Sequence, residues 1–190
     1  MFKRYLKKFC LFSLTALLVG ALLTGCGPFR SSPPPEPPPP GEELSLQLSL
    51  YFPAPDGDGL IPLERTVTVP DLDVAPALLT GLEIIPALFA ELANPPEGLE
   101  NPLPEGTVLL EAAVDEEGLA AVNLSADFGE NFNGGTAGEE MTLYSIVNTL
   151  TALPDVDSVQ FLIEGQVEIS ILGHLDTSVP FERKESLIVE

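Results

Sequence analysis

Seven prolines between Ser31 and Gly41, in the run SSPPPEPPPPG, set the strongest limit on what this chain can fold into. Proline has no N–H to give to a helix interior or a central strand. Such a run takes the extended polyproline II form and has no core of its own. At about 3.1 Å per residue it spans on the order of 30 Å. It also separates two unlike stretches, a basic and apolar one before it and a long one of mixed periodicity after it. The expected organisation is therefore an N-terminal segment over 1–25, a spacer over 26–42 and one folded domain over 43–190, which suits a chain of 190 residues. The run could also dock a proline-reading module, but a tether beside a membrane anchor already needs a spacer.

Met1 to Lys8 is basic, and Phe9 to Leu23 is an apolar run of 15 residues. That is short for a spanning helix, which needs about 20, and it matches the apolar region of a signal peptide. Leu23-Thr24-Gly25-Cys26 then resembles the lipobox of bacterial lipoproteins: an aliphatic residue, two small residues and the cysteine that receives lipid. The resemblance implies cleavage before Cys26 and a diacylglyceryl thioether on it. Two or three acyl chains hold a protein on a membrane where one is marginal. Ordinary secretory cleavage and an uncleaved anchor are the alternatives, and the agreement of charge, length and box favours the lipoprotein. The expected location is the extracytoplasmic face of the cell membrane.

Four of the eight basic residues, Lys3, Arg4, Lys7 and Lys8, lie in the segment to be removed. The mature chain would keep 4 basic against 29 acidic residues, a formal charge of −25. No basic patch is left to neutralise phosphates, so nucleic acid is excluded as a partner, and charge alone would not hold the chain on anionic lipid. Only Cys26 would survive cleavage, so no internal disulfide can form. With His174 as the only histidine, a Cys/His metal site is excluded too.

The periodicity of the rest predicts an α+β domain. Leu44, Leu46, Leu48 and Leu50 alternate with polar residues, as does Leu63–Val69, and both read as half-buried strands around a turn over 52–59. Val74 to Ala93 is apolar at helical spacing, interrupted by Pro76, Gly81 and Pro86. One short turn and then a helix from about Pro86 are expected, burying Ile85, Leu88, Phe89 and Leu92. Residues 107–114 and 119–124 flank Asp115-Glu116-Glu117-Gly118 as a hairpin. Thr136-Ala137-Gly138-Glu139 reads as a capping box, opening a helix that stacks Leu143, Ile146, Val147, Leu150 and Leu153 on one stripe before Pro154. Val159, Phe161 and Ile163 form a strand, and Glu164-Gly165-Gln166 turns into a last strand through Val167, Ile169 and Ile171. The order is ββαββαββ. The simplest closure is one mainly antiparallel sheet with two helices packed on it.

Several stretches taken together resemble the GerM-type domain, also called the sporulation and spore germination (GerMN) domain. They are Leu50-Tyr51-Phe52 with Arg65, Leu103 through Leu110, and Gly118-Leu119-Ala120 leading to Ser125 and Phe128. Glu140 with Ile146 through Thr151, Val156 with Val159 through Gly165, and Gly173 through Ser178 with Pro180 and Arg183 complete the set. The segment between Val69 and Asn94 is longer and richer in proline than the family's link. One copy of the domain is visible, and no hydrolase domain follows it. The resemblance implies a part in envelope or spore-layer assembly, through self-association or contact with other membrane-bound proteins. Related folds build rings from units packed side by side, and a charge of −25 opposes that unless it is screened or met by a basic partner.

Catalysis is not expected, and no cofactor is implied. A nucleophilic triad would need His174, yet no GxSxG elbow is present, and Gly173-His174-Leu175-Asp176 reads as a structural clasp. Arg65 and Arg183 are expected to pair with buried acids such as Asp176 or Asp127. Glu139 with Glu140, and Asp155 with Asp157, read as solvated turns or caps. Asp56-Gly57-Asp58-Gly59 invites calcium, but position twelve of such a loop would be Val67, not glutamate. The glycine-rich stretch 131–135 has no Lys or Arg beside it for a phosphate. The expected function is thus a non-catalytic, lipid-anchored envelope interaction module. The alternative is a lipoprotein that binds cell-wall fragments, which a concave, aromatic-lined pocket would distinguish.

Overall fold

A computed structural model describes residues 44–69 and 81–189. The expected signal segment, Cys26, the proline spacer and the 70–80 part of the apolar stretch lie outside the described residues. The elements are β1 (Leu44–Pro53), β2 (Leu60–Val69), α1 (Gly81–Leu92), β3 (Leu109–Val114) and β4 (Leu119–Leu124). They continue with α2 (Asp127–Glu130), α3 (Thr136–Leu150), β5 (Ser158–Ile163) and β6 (Phe181–Glu182), then a 3-10 turn at Glu185–Leu187.

The α+β class holds, but the single sheet does not. β1 and β2 form a separate antiparallel hairpin, and the second sheet runs β3-β4-β5-β6. The hairpin pairs ten residues to ten, from Leu44 opposite Val69 to Pro53 opposite Leu60. One face carries Ser45, Gln47, Ser49, Glu64, Thr66 and Thr68. Across it Gln47 donates to Thr66 Oγ1 and Ser49 donates to Glu64. The other face carries Leu46, Leu48, Leu50, Leu63, Val67 and Val69 into the core. A hairpin apolar on one face must cover something, and here it covers the helices. Both strands also run further than expected, so the turn shortens to 54–59. Tyr51, Phe52 and Leu60 are buried at the hairpin's closed end.

In the second sheet β4 and β5 are parallel, with Leu119 opposite Ser158 and Leu124 opposite Ile163. Element order alone leaves that pairing open. The long connection through α2 and α3 makes it possible, since parallel neighbours need a crossover of a dozen residues or more. Ala120, Val122, Leu124, Val159, Phe161 and Ile163 point inward at period two and are all buried. Phe161 bridges Phe128, stacked at 6.4 Å, and Phe181, edge-on at 5.7 Å.

α1 begins five residues earlier than expected. Its first N–H, at Gly81, is held by Asp155 Oδ2 at 2.6 Å, a carboxylate 74 positions away that also complements the helix dipole. Pro86 therefore lies inside the helix, on its exposed side, where the missing donor is least costly. Ile85, Leu88, Phe89 and Leu92 are buried as expected. The stripe expected of α3 is buried too, together with Met141, Thr142, Ser145, Asn148 and Thr149. α3 is enclosed because it contacts β1 on one side and β5 and α1 on others.

The expected strand over Val167–Ile171 is absent. After the turn at Glu164 and Gly165, both at positive φ, a single bridge joins Ile163 to Gln166. The chain then closes a loop on the fully buried Thr177, whose Oγ1 donates to Glu168 O and accepts from Ile171 N. Thr177 N donates to Ile169 O. These bonds replace a ladder, and Ile169 is left 78% exposed. The edge of the sheet is made instead by β6, with Phe181 opposite Val159.

Candidate functional site

The chemistry-bearing side chains converge where α3 meets the C-terminal strap that follows β5. Glu139, in the first turn of α3, is completely buried. Its carboxylate accepts from Leu175 N at 2.8 Å and His174 N at 3.2 Å, and meets His174 Nδ1 at 2.7 Å. The capping-box reading and the solvated reading of Glu139 are therefore both corrected. Gly135 is the N-cap without a side-chain cap bond, and Glu139 turns away from its own helix toward the strap. The clasp expected at Gly173–Asp176 is real, and Glu139 is the partner the sequence did not announce. A carboxylate on imidazole is half of a nucleophilic triad. Among the described residues, no Ser or Cys is hydrogen-bonded to His174. Asp176 faces elsewhere, accepting from Ser178 Oγ at 2.6 Å and Ser178 N at 2.9 Å, and these bonds hold its carboxyl below the usual range.

Two and a half turns further along α3, the buried Asn148 amide grips the backbone of Lys184. Its Oδ1 accepts from Lys184 N at 3.0 Å and its Nδ2 donates to Lys184 O at 3.2 Å. Both flanking cations are engaged. Lys184 pairs with Glu140 and lies 5.1 Å from the Tyr144 ring centroid. The bond to Glu140 raises the Lys184 pKa against the cost of burial. Burial is the main cause of the raised Tyr144 pKa, which Lys184 opposes. Arg183 donates to Asn148 O at 2.7 Å and to Tyr51 Oη, lies over the Tyr51 ring at 4.7 Å and pairs with Glu185. Burial works against its charge, but the bonds to Tyr51 and Glu185 outweigh burial and raise its pKa.

Arg65 pairs with Glu91 at 2.7 Å and donates to Asn94 O at 2.8 Å, tying β2 to the end of α1. The expected pairing of Arg65 and Arg183 with Asp176 or Asp127 is thus replaced by acids on neighbouring elements. Asp127 accepts from Asn131 Nδ2 instead. Asp155 is a cap, as read, but for α1. All three cations of the described residues are held by a carboxylate of the same chain.

Asp56 Oδ1 accepts from Asp58 N at 3.2 Å, a turn bond of the kind aspartate commonly supplies. Among the described residues no group of three or more His, Cys, Asp or Glu is placed to hold a metal ion. No described helix is long and apolar enough to cross a membrane. A shallow concavity of about 420 Å³ lies beside the strap, lined by Tyr144, Phe181, Arg183 and Lys184, and two more lie elsewhere. One, of about 380 Å³, lies between the 100–104 and 131–134 segments with Phe132 as its single aromatic. The amides of Asn101, Asn131 and Asn133 beside it donate to backbone carbonyls of the surrounding loops. The other, of about 370 Å³, is an apolar groove between the exposed side of α1 and β3.

Fold and site together define a small α+β module that uses Glu139, Asn148, Arg65, Arg183 and Lys184 to hold its own strap and hairpin. The chain belongs to the Germane family, described as sporulation and spore germination, whose model matches residues 49–168. Among solved structures it is similar to the tandem GerMN domains of the sporulation protein GerM from Bacillus subtilis, with 18% identity and a TM-score of 0.51 over 72% of this chain and 45% of that one. The first GerMN domain of the same protein gives 17% identity and a TM-score of 0.49 over 74% of this chain and 98% of that one. A Clostridium perfringens protein with a lipoprotein designation gives 26% identity and 0.48 over 73% and 87%. A comparison with curated proteins found no match.

Proposed function

We propose that this chain is a lipid-anchored, non-catalytic interaction module of the cell envelope, held outside the membrane by lipid on Cys26 and spaced from it by the proline run. The observation that carries the reading is the fate of the reactive groups. Glu139 and His174 clasp a strap, Arg65, Arg183 and Lys184 are neutralised internally, and the charged groups left facing outward without an ion pair among those shown are acids such as Asp56, Asp58, Glu111, Glu116 and Glu117. Membership of a sporulation and germination family supports a role in assembling an envelope or spore-layer complex. The charge favours a heterologous partner over self-association.

Binding of cell-wall fragments is the second reading, favoured by the hollow beside Phe132. One aromatic and amides already committed to loop carbonyls make it a weak sugar site. Crosslinking of the lipidated chain in its own membrane, followed by mass spectrometry, separates the two. A reproducible set of envelope proteins supports the module. Glycan or peptide fragments without proteins would overturn it. Cys26→Ser should move the chain out of the membrane fraction, and retention there without lipid mass on the wild type would defeat the anchor.

A further inference from the structure

β3 is the terminal strand of its sheet and, among the described residues, pairs only with β4. Asp115 N donates to Leu119 O at the hairpin end. Antiparallel strands alternate in the direction of their backbone groups. Ala113 and Glu111 therefore bond to β4, and the N–H and C=O groups of Ala112 and Val114 face away from it. A bulge at Leu110 leaves that side chain 47% exposed beside Val108 at 53%. The free edge runs along the groove whose other wall is Pro86, Phe89 and Ala90 of α1 and Ala93 just beyond it. An unpaired strand beside an apolar trough is the arrangement that captures extended peptides, through backbone bonds on the edge and alternate side chains in the trough.

Charge selects the occupant. Glu111 lies on the edge and Asp115, Glu116 and Glu117 follow at its end, all exposed, and no cation lines the groove. A second copy would bring the same acids against these. The chain's own proline spacer cannot supply a run of backbone donors.

We propose that the free edge of β3 docks an extended, lysine- or arginine-bearing segment of another envelope protein, paired as an added strand with its apolar side chains in the groove beside α1. This rests on the interaction-module reading and names its surface.

The test places a photoactivatable residue at Leu110 in the full lipidated chain in its own membrane, and a second at Gln47 on the polar face of the hairpin, and sequences the crosslinked peptides. The expected adduct at Leu110 is a peptide of a different protein with apolar residues at alternate positions and at least two Lys or Arg. Ala112→Pro, which removes an outward N–H, should lower its yield about tenfold, the effect of roughly 1.4 kcal/mol. Glu111→Lys, which reverses the edge charge and needs no backbone change, should do the same without lowering the melting temperature. A crosslink to a second copy, to this chain's own residues 70–80, or to a segment without basic residues overturns the proposal. So does an adduct indifferent to Glu111→Lys. Silence at Leu110 with protein adducts at Gln47 removes the β3 assignment and leaves the module reading standing. Silence at both sites removes both.

Discussion

Glu139 carries the largest single-residue consequence. Three donors converge on a carboxylate with no solvent access, two of them backbone N–H groups that have no other partner on the strap. Glu139→Ala removes the acceptor of those part-buried groups, at up to about 1–3 kcal/mol each. A loss of about 2–5 kcal/mol is expected in chemical denaturation. Glu139→Gln keeps one acceptor oxygen and should cost less than half of that. Equal losses for the two variants would mean that charge, not the backbone bonds, holds the clasp. Gly59 is a second position with little latitude. Its φ is 158°, and a Cβ there would meet Leu187 O at 2.7 Å and Val189 Cγ1 at 2.6 Å. Gly59→Ala must displace the C-terminal backbone, which bonds Leu60 O through Val189 N. A loss above about 1 kcal/mol is expected, and a neutral variant would show that the terminus swings away freely.

At the scale of elements, the strap is locked to α3 by groups that titrate at high pH. The raised pKa values of Lys184 and Tyr144 mean that both groups hold their protons more tightly in the folded chain. Groups raised in this way stabilise the fold fully below their unfolded values and lose that contribution as pH rises through the folded ones. Those unfolded values are about 10.5 and 10.0, so stability should be flat at neutral pH and fall as pH climbs past about 10. Lys184→Met should flatten part of that fall in a pH series of melting temperatures, and an unchanged slope would remove Lys184 from the lock. The strap is also where sequence reasoning was weakest. Ile85, Leu88, Phe89 and Leu92, and the stripe from Leu143 to Leu150, were legible because apolar spacing reports burial directly. Val167, Ile169 and Ile171 have perfect strand spacing and are not a strand, because Thr177, six residues beyond Ile171, takes the backbone bonds. The start of α1 was hidden for the same reason, since its cap comes from Asp155. Glu139 resembled a capping residue by position. Its clue was the single histidine in a clasp motif that needed an acid from elsewhere. Asn148, inside an otherwise apolar helix stretch, was the other available signal, because a buried amide requires partners.

For the whole molecule, charge decides the response to salt. The described part has three cations, each already paired and partly exposed, against a surface where Asp56, Asp58, Glu97, Glu100, Glu111, Glu116 and Glu117 all face water. Exposed pairs of this kind contribute about 0–1 kcal/mol each, and salt weakens them. The like-charge repulsions are more numerous and longer in range, and salt weakens them as well. Screening length falls from about 30 Å at 0.01 M to about 10 Å at 0.1 M and about 3 Å at 1 M. Repulsion between acids well separated on the surface is therefore removed first, before contact pairs are affected. The melting temperature should rise with sodium chloride through the lower part of this range, by about 2–4 °C for each kcal/mol of repulsion relieved, and then level off. Glu117→Lys, at an exposed turn, should raise the low-salt value and reduce the salt response. A melting temperature that falls from the first addition of salt would mean that the three ion pairs outweigh the repulsion, and the case for a basic partner built on unbalanced charge would fall with it.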